Sequence, residues 1–293
     1  MADRLQVEAF FDPATSTLSY LVLDAPSGDC AVIDSVLDFE PKAARTSTAS
    51  ADRLIARVRE LGATVRWVLD THVHADHLSA ALYVKAQLGG QVGIGQGVCR
   101  VQQVFARWFD LARYPVGSGA PFDLLLDDGA TLALGGLVIR VLHTPGHTPA
   151  CVTYVLEEAG TLRAAFVGDT LFSPDYGTAR CDFPGGDARQ LFQSIQRILA
   201  LPPATALYLC HDYCPGGRAL SCMQTVAEQR AENVHVRHGI EEQAFVTLRQ
   251  ARDAQLELPA LMLPAVQLNL HAGQLPEPDA DGVRYLKIPL NLF

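Results

Sequence analysis

The sequence predicts an α/β fold, and two observations carry that prediction. Short apolar segments with strand character alternate with helix-like segments through the first hundred residues. Further apolar segments, beyond residue 130, each lead into a histidine or an aspartate, as expected where strands end at one rim of a sheet.

The elements follow in order. Residues 6–11, 18–23 and 30–34 read as strands, parted by turns at Asp12-Pro13 and Pro26-Ser27-Gly28-Asp29. Glu40 to Ser50 is polar and reads as a surface loop. A helix capped by Ser50 then carries Leu54, Ile55, Val58 and Leu61 as its apolar stripe, with Gly62 as its stop. The β-branched and aromatic run 65–69 is a buried strand. It delivers Thr71-His72-Val73-His74-Ala75-Asp76-His77, with four candidate metal ligands within six positions. His72 and His74 alternate by two, so an extended backbone points both the same way. Asp76 is placed as the N-cap of a helix that His77 opens and Gly89-Gly90 closes.

Beyond this cluster, 91–95 reads as a strand and 98–111 as a helix. Segments 122–126, 131–134 and 137–142 form a meander. It leads into His143-Thr144-Pro145-Gly146-His147-Thr148-Pro149, a tight loop with His147 at its tip and His143 in a packing or hydrogen-bonding role. Strands 151–156 and 164–167 precede Gly168-Asp169, and strand 206–210 precedes His211. By itself Asp169 fits an Asx turn as well as a ligand. Two helices, 225–236 and 241–248, are followed by an extended tail punctuated by Pro259, Pro264, Pro276, Pro278 and Pro289. With no internal repeat and no low-complexity linker, 1–293 reads as a single domain. Its core is 6–235, and the apolar extension 236–293 packs on that core.

His72-x-His74-x-Asp76-His77 resembles the His-x-His-x-Asp-His signature of the metallo-β-lactamase superfamily, and Thr144-Pro145-Gly146-His147-Thr148 resembles its second motif. The resemblance implies an αββα sandwich, here with a C-terminal appendage. Every metal position of the superfamily is then filled, by His72, His74, Asp76, His77, His147, Asp169 and His211. Imidazole and carboxylate ligands suit zinc and iron alike.

Residues 18–34, 70–81, 143–155, 167–187 and 209–214, with the closing Arg284-Tyr285-Leu286-Lys287-Ile288-Pro289-Leu290, are similar to the persulfide (sulfur) dioxygenase branch. Ser35, where that branch has proline, departs from it without touching a ligand. The branch implies one Fe(II) per chain, held by His72, His147 and Asp169, with glutathione persulfide and O₂ as substrates. His74, Asp76, His77 and His211 then surround the ion as catalytic residues. Arg180 and Tyr213 resemble glutathione contacts of glyoxalase II enzymes, and Arg218 is a weaker candidate. Arg180 equally fits an ion pair with Asp182, and Cys181 either traps sulfur or is an inert buried thiol. The runner-up activity is a glyoxalase II-type thioester hydrolase with two metals; a non-catalytic persulfide carrier is the option outside enzymes.

The net charge of −9 argues against a nucleic-acid partner, which needs a concentrated basic face. No apolar run reaches the roughly 20 residues of a membrane span. The first eight residues lack signal-peptide character, and the seven cysteines form no Cys-x-x-Cys pair. A cytoplasmic protein is the expectation, and a homodimer is compatible with the sequence.

Overall fold

Alternation along one strand shows how the layers arise. In Thr17–Asp24, Leu18, Tyr20 and Val22 enter one apolar cluster while Leu21 and Leu23 enter another, because successive side chains leave opposite faces. This strand is covered on both sides, and its eight residues are all buried. The computed structural model describes residues 3–109 and 115–291.

Chain order runs β1 (Leu5–Asp12), β2 (Thr17–Asp24), β3 (Asp29–Ile33), β4 (Val36–Glu40), β5 (Arg45–Ser47), α1 (Ala49–Glu60), β6 (Thr64–Leu69), β7 (Leu78–Ser79), α2 (Ala81–Leu88), β8 (Gln91–Gly95) and α3 (Val98–Phe105). It continues through β9 (Leu124–Leu126), β10 (Thr131–Leu134), β11 (Leu137–His143), β12 (Val152–Glu158), β13 (Thr161–Phe166), α4 (Ala188–Leu199), β14 (Ala206–Tyr208), β15 (Met223–Thr225), α5 (Val226–Glu232), α6 (Glu242–Asp253) and α7 (Met262–Asn269).

The first sheet has the order β1-β2-β3-β6-β8-β9, and the second runs β10 to β15 in sequence. Their facing sides share a core that includes Tyr20, Ile33, Leu69, Ile139, Tyr154 and Phe166, and this cluster extends to Leu191 and Ile195 of α4 and Phe245 of α6. On the other side of the first sheet, Val32, Val68 and Val92 pack with Leu54 of α1, Val84 of α2, Val101 of α3 and Val266 of α7. Helices, sheet, sheet and helices thus form the αββα order expected. In the first sheet β3, β6, β8 and β9 are parallel, and in the second β13 and β14 are. The carboxyl ends of β3, β6, β13 and β14 open at one edge, where α/β sheets place their ligands.

Five local expectations are corrected. The expected loop 40–50 contains β5, which pairs with β4 as a hairpin. Helix α1 begins at Ala49, and Ser50 is not its cap: the Asp38 carboxylate accepts from the Ser50 N–H at 3.0 Å and from its hydroxyl at 2.6 Å. Asp76 is not a helix N-cap either. Leu78 and Ser79 pair with β4 as a strand, and α2 starts only at Ala81. The expected helix 98–111 ends at Phe105; its positions 110 and 111 lie outside the described residues. The proline-punctuated tail holds a helix, α7, whose Met262, Ala265, Val266 and Leu268 are buried. Helix α4, absent from the sequence reading, starts at Ala188 and is capped by Asp187, whose side chain accepts from the Gln190 N–H.

Candidate metal centre

Three strand ends and one loop bring the candidate ligands together. The loop after β6 carries His72, His74, Asp76 and His77, and the β11–β12 loop carries His147. Asp169 follows β13, and His211 follows β14. The rings of His72 and His74 lie 4.1 Å apart, those of His74 and His77 4.2 Å, and those of His72 and His147 5.0 Å. All these histidines are buried.

Hydrogen bonds behind the rings set which nitrogen faces inward. The Thr71 hydroxyl donates to Asp34 Oδ2 at 3.0 Å, so it accepts from His72 Nδ1, also at 3.0 Å, and His72 Nε2 keeps its lone pair. His147 Nδ1 donates to the Arg180 carbonyl at 2.7 Å, which leaves its Nε2 free in the same way. His74 is reversed: its Nε2 meets Asp34 Oδ1 at 2.9 Å and Nδ1 faces the cluster. His211 Nδ1 donates to the Ser16 carbonyl at 3.2 Å. Such outer contacts fix tautomer and ring orientation in metal sites.

The inward atoms form a dense donor set. The Nε2 atoms of His72 and His147 lie 3.8 and 3.6 Å from Asp169 Oδ2. His211 Nε2 lies 3.1 Å from Asp76 Oδ2 and 3.3 Å from Asp169 Oδ1, close but off a hydrogen-bonding direction. His72 Nε2, His74 Nδ1, Asp76 Oδ2, His77 Nε2, Asp169 Oδ1 and His211 Nε2 are all buried without a hydrogen-bond partner. Each such orphan costs about 1–3 kcal/mol unless something else satisfies it. Burial, reinforced by neighbouring imidazoles, pushes His72 and His74 well below their usual range, so both are neutral and able to ligate. Burial works against the Asp76 charge, yet His211, His77 and His74 hold that carboxyl well below its usual range. Burial raises Asp169, against the pull of His211 and His147. It also opposes a charge on His211, but Asp76 and Asp169 raise His211 above its usual range. Converging imidazole nitrogens and carboxylate oxygens without other partners fit a divalent metal cofactor. The ligand atoms of His72, His147 and Asp169 all lie within 4.8 Å of one another, as do those of His74, Asp76 and His77.

The family model for the metallo-beta-lactamase superfamily matches residues 12–211, which include every one of these side chains. The chain belongs to that superfamily. A probable metallo-hydrolase of Burkholderia pseudomallei is 63% identical over 292 residues, covering 98% of this chain and 99% of that protein. "Glyoxylase B2" of Dictyostelium discoideum is 42% identical, covering 99% of each. The mitochondrial persulfide dioxygenase ETHE1 of Homo sapiens is 31% identical, covering 90% of this chain and 87% of that one. The crystal structure of ETHE1 from Myxococcus xanthus superposes with a TM-score of 0.72 at 29% identity, over 92% of this chain and all of the other.

Beside this superfamily centre, Tyr213 is 40% exposed and stacks on His211, with ring centres 5.7 Å apart and planes at 16°. Arg180 contributes its backbone carbonyl to His147. Its guanidinium forms a two-pronged pair with Asp182, both contacts at 2.7 Å, donates to the Glu257 carbonyl and lies over the Phe183 ring. Those contacts use three of its five N–H groups. Arg218 has its whole fork engaged by Asp175, Asp212, Ser173 and the Ala219 carbonyl. Cys181 is buried, its thiol donates to Asp253, and burial pushes its pKa up. His143 bonds the Leu126 carbonyl away from the centre. Sequence reasoning missed Asp34 and Thr71. Asp34 carries the same signal as Asp169, a carboxylate directly after an apolar strand. Among the described residues no helix is long and apolar enough to cross a membrane.

Proposed function

We propose that the chain is a glutathione persulfide dioxygenase using one ferrous ion held by His72, His147 and Asp169. The observation that carries this reading is the clustering of those three ligand atoms, with two imidazoles turned so that Nε2 faces the carboxylate. Two histidines and one carboxylate on one face leave adjacent positions open, the pattern of non-haem Fe(II) oxygenases. Likeness to the ETHE1 proteins supports the choice of substrate. The reaction balances as glutathione persulfide plus O₂ and water giving glutathione and sulfite, with two protons released from the sulfite. When bound, the iron supplies the one-electron chemistry that lets O₂ react with a persulfide sulfur.

The chain's own residues position and protect. Asp34, through Thr71, and the Arg180 carbonyl hold the two imidazoles in register. His74, Asp76, His77 and His211 line the remaining wall, where they orient the substrate and move its protons. Tyr213, which stacks with His211 and with Tyr176, offers its exposed aromatic surface to the glutathione carrier. Arg180 has two N–H groups left for a glutathione carboxylate. Arg218 has none, and acts by holding Asp212 beside Tyr213.

A second reading, a two-metal thioester hydrolase, draws on the other donor group, His74, Asp76 and His77, and on the likeness to Glyoxylase B2. One comparison separates the two. Iron-loaded protein given glutathione persulfide is expected to consume O₂ and produce sulfite, and to release little thiol from S-lactoylglutathione. Brisk thioester hydrolysis with no O₂ uptake overturns the dioxygenase in favour of the hydrolase.

A further inference from the structure

The metal loop is closed from the far end of the chain. Asn269, the last residue of α7, is 2% exposed, and its side-chain amide makes three hydrogen bonds to one stretch of backbone. Its Nδ2 donates to the carbonyls of His74 at 2.9 Å and His77 at 2.7 Å. Its Oδ1 accepts from the Ser79 N–H at 2.8 Å. The loop between β6 and β7 has no ladder to satisfy its peptides, and a buried carbonyl needs a donor. Asn269 supplies two donors from a single planar group, so it fixes the relative orientation of both peptides. The backbone beyond it docks as closely. Leu82 N–H meets the Ala272 carbonyl at 3.4 Å. At Gly273, with φ +76°, a Cβ would lie 1.8 Å from the Ser79 carbonyl oxygen, so only glycine fits.

We infer that Asn269 is a positioning residue for the metal centre and that α7 is a working part of it. By holding the peptides of His74 and His77, Asn269 sets the turn that aims those imidazoles inward and keeps the loop that also carries His72 in place. The inference concerns the loop itself, so it holds for one bound ion or two and for either reaction.

Cobalt(II) is the probe: its visible absorption reports ligand geometry, and competition with a chelator gives its affinity. Asn269→Ala removes all three bonds. Asn269→Asp keeps the shape and the Ser79 contact but sets a carboxylate oxygen against two carbonyls. Leu54→Ala, in the same apolar cluster but on α1, is the control for general destabilisation. Both Asn269 variants are expected to bind Co(II) roughly 10–100-fold more weakly, with a shifted absorption band, as outer contacts of metal ligands do. Leu54→Ala is expected to melt earlier with affinity and band unchanged. Wild-type affinity and spectrum in Asn269→Asp, or an equal loss in Leu54→Ala, overturns the inference.

Discussion

Asp34 Oδ1 stands 2.9 Å from His74 Nε2, and that contact decides which nitrogen of His74 faces the metal cluster. The same carboxylate accepts the Thr71 N–H at 2.7 Å and the Thr71 hydroxyl, so it orients His72 as well. Asp34 sits at φ +52°, a left-handed conformation that aspartate tolerates better than most residues. Asp34→Asn presents an amide N–H₂ to either His74 or Thr71, and one of the two donors loses its acceptor. Metal affinity is expected to fall roughly 10–100-fold, measured by chelator competition. Unchanged affinity would mean that the tautomer of His74 is not set from behind.

If one ion sits between His72, His147 and Asp169, each of His72→Ala, His147→Ala and Asp169→Ala abolishes its retention. Wild-type protein purified without oxygen should hold about one iron per chain, the ligand count of a facial triad. Elemental analysis is the measurement. Two tightly held zincs in the active protein would assign the centre to hydrolysis instead.

The candidate ligand positions were legible because they lie in short motifs and just beyond apolar strands, such as the buried Ala164, Ala165 and Phe166 before Asp169 and Leu207 before His211. What surrounds them was not, because it comes from far along the chain. The helix expected from Asp76 onward loses its first turn to β4, some 40 residues upstream, and to Asn269, some 190 downstream. Local composition cannot show either partner. Helix α4 is legible in principle, with Asp187 as cap and Leu191, Ser194, Ile195 and Ile198 spaced as one buried face. The arginines illustrate a different limit. Sequence places Arg180 and Arg218 near the centre, but only coordinates show which N–H groups their carboxylate partners leave available.

Arg180 is expected to act on the substrate through the N–H groups that Asp182 and Glu257 leave free. Arg180→Gln removes two free N–H groups at the mouth and should raise KM for glutathione persulfide about 10-fold or more, the loss of one charge-assisted hydrogen bond. Asp182→Asn leaves the guanidinium in place and should change KM much less. Steady-state kinetics on both variants reads this directly. A wild-type KM in Arg180→Gln removes that residue from the substrate site.

Acid sensitivity is expected to run through His235. Its Nδ1 accepts from the Thr178 N–H at 3.1 Å, just below the segment that carries Arg180 and its carbonyl. Burial, with Arg249 and Arg252 nearby, depresses its pKa from 6.5 to about 4. The folded state thus holds this imidazole neutral where the unfolded chain protonates it. Stability from the neutral form is complete above pH 6.5 and is lost as pH falls from 6.5 toward 4. His235→Gln keeps an acceptor for Thr178 and has no proton to gain. His72 and His74, held well below their usual range by burial, also take up protons on unfolding, so the informative quantity is the difference in unfolding free energy between wild type and variant. In metal-free protein, urea melts should show that difference shifting in favour of His235→Gln between pH 7 and pH 5. A difference that stays constant with pH would place the proton uptake elsewhere in the chain.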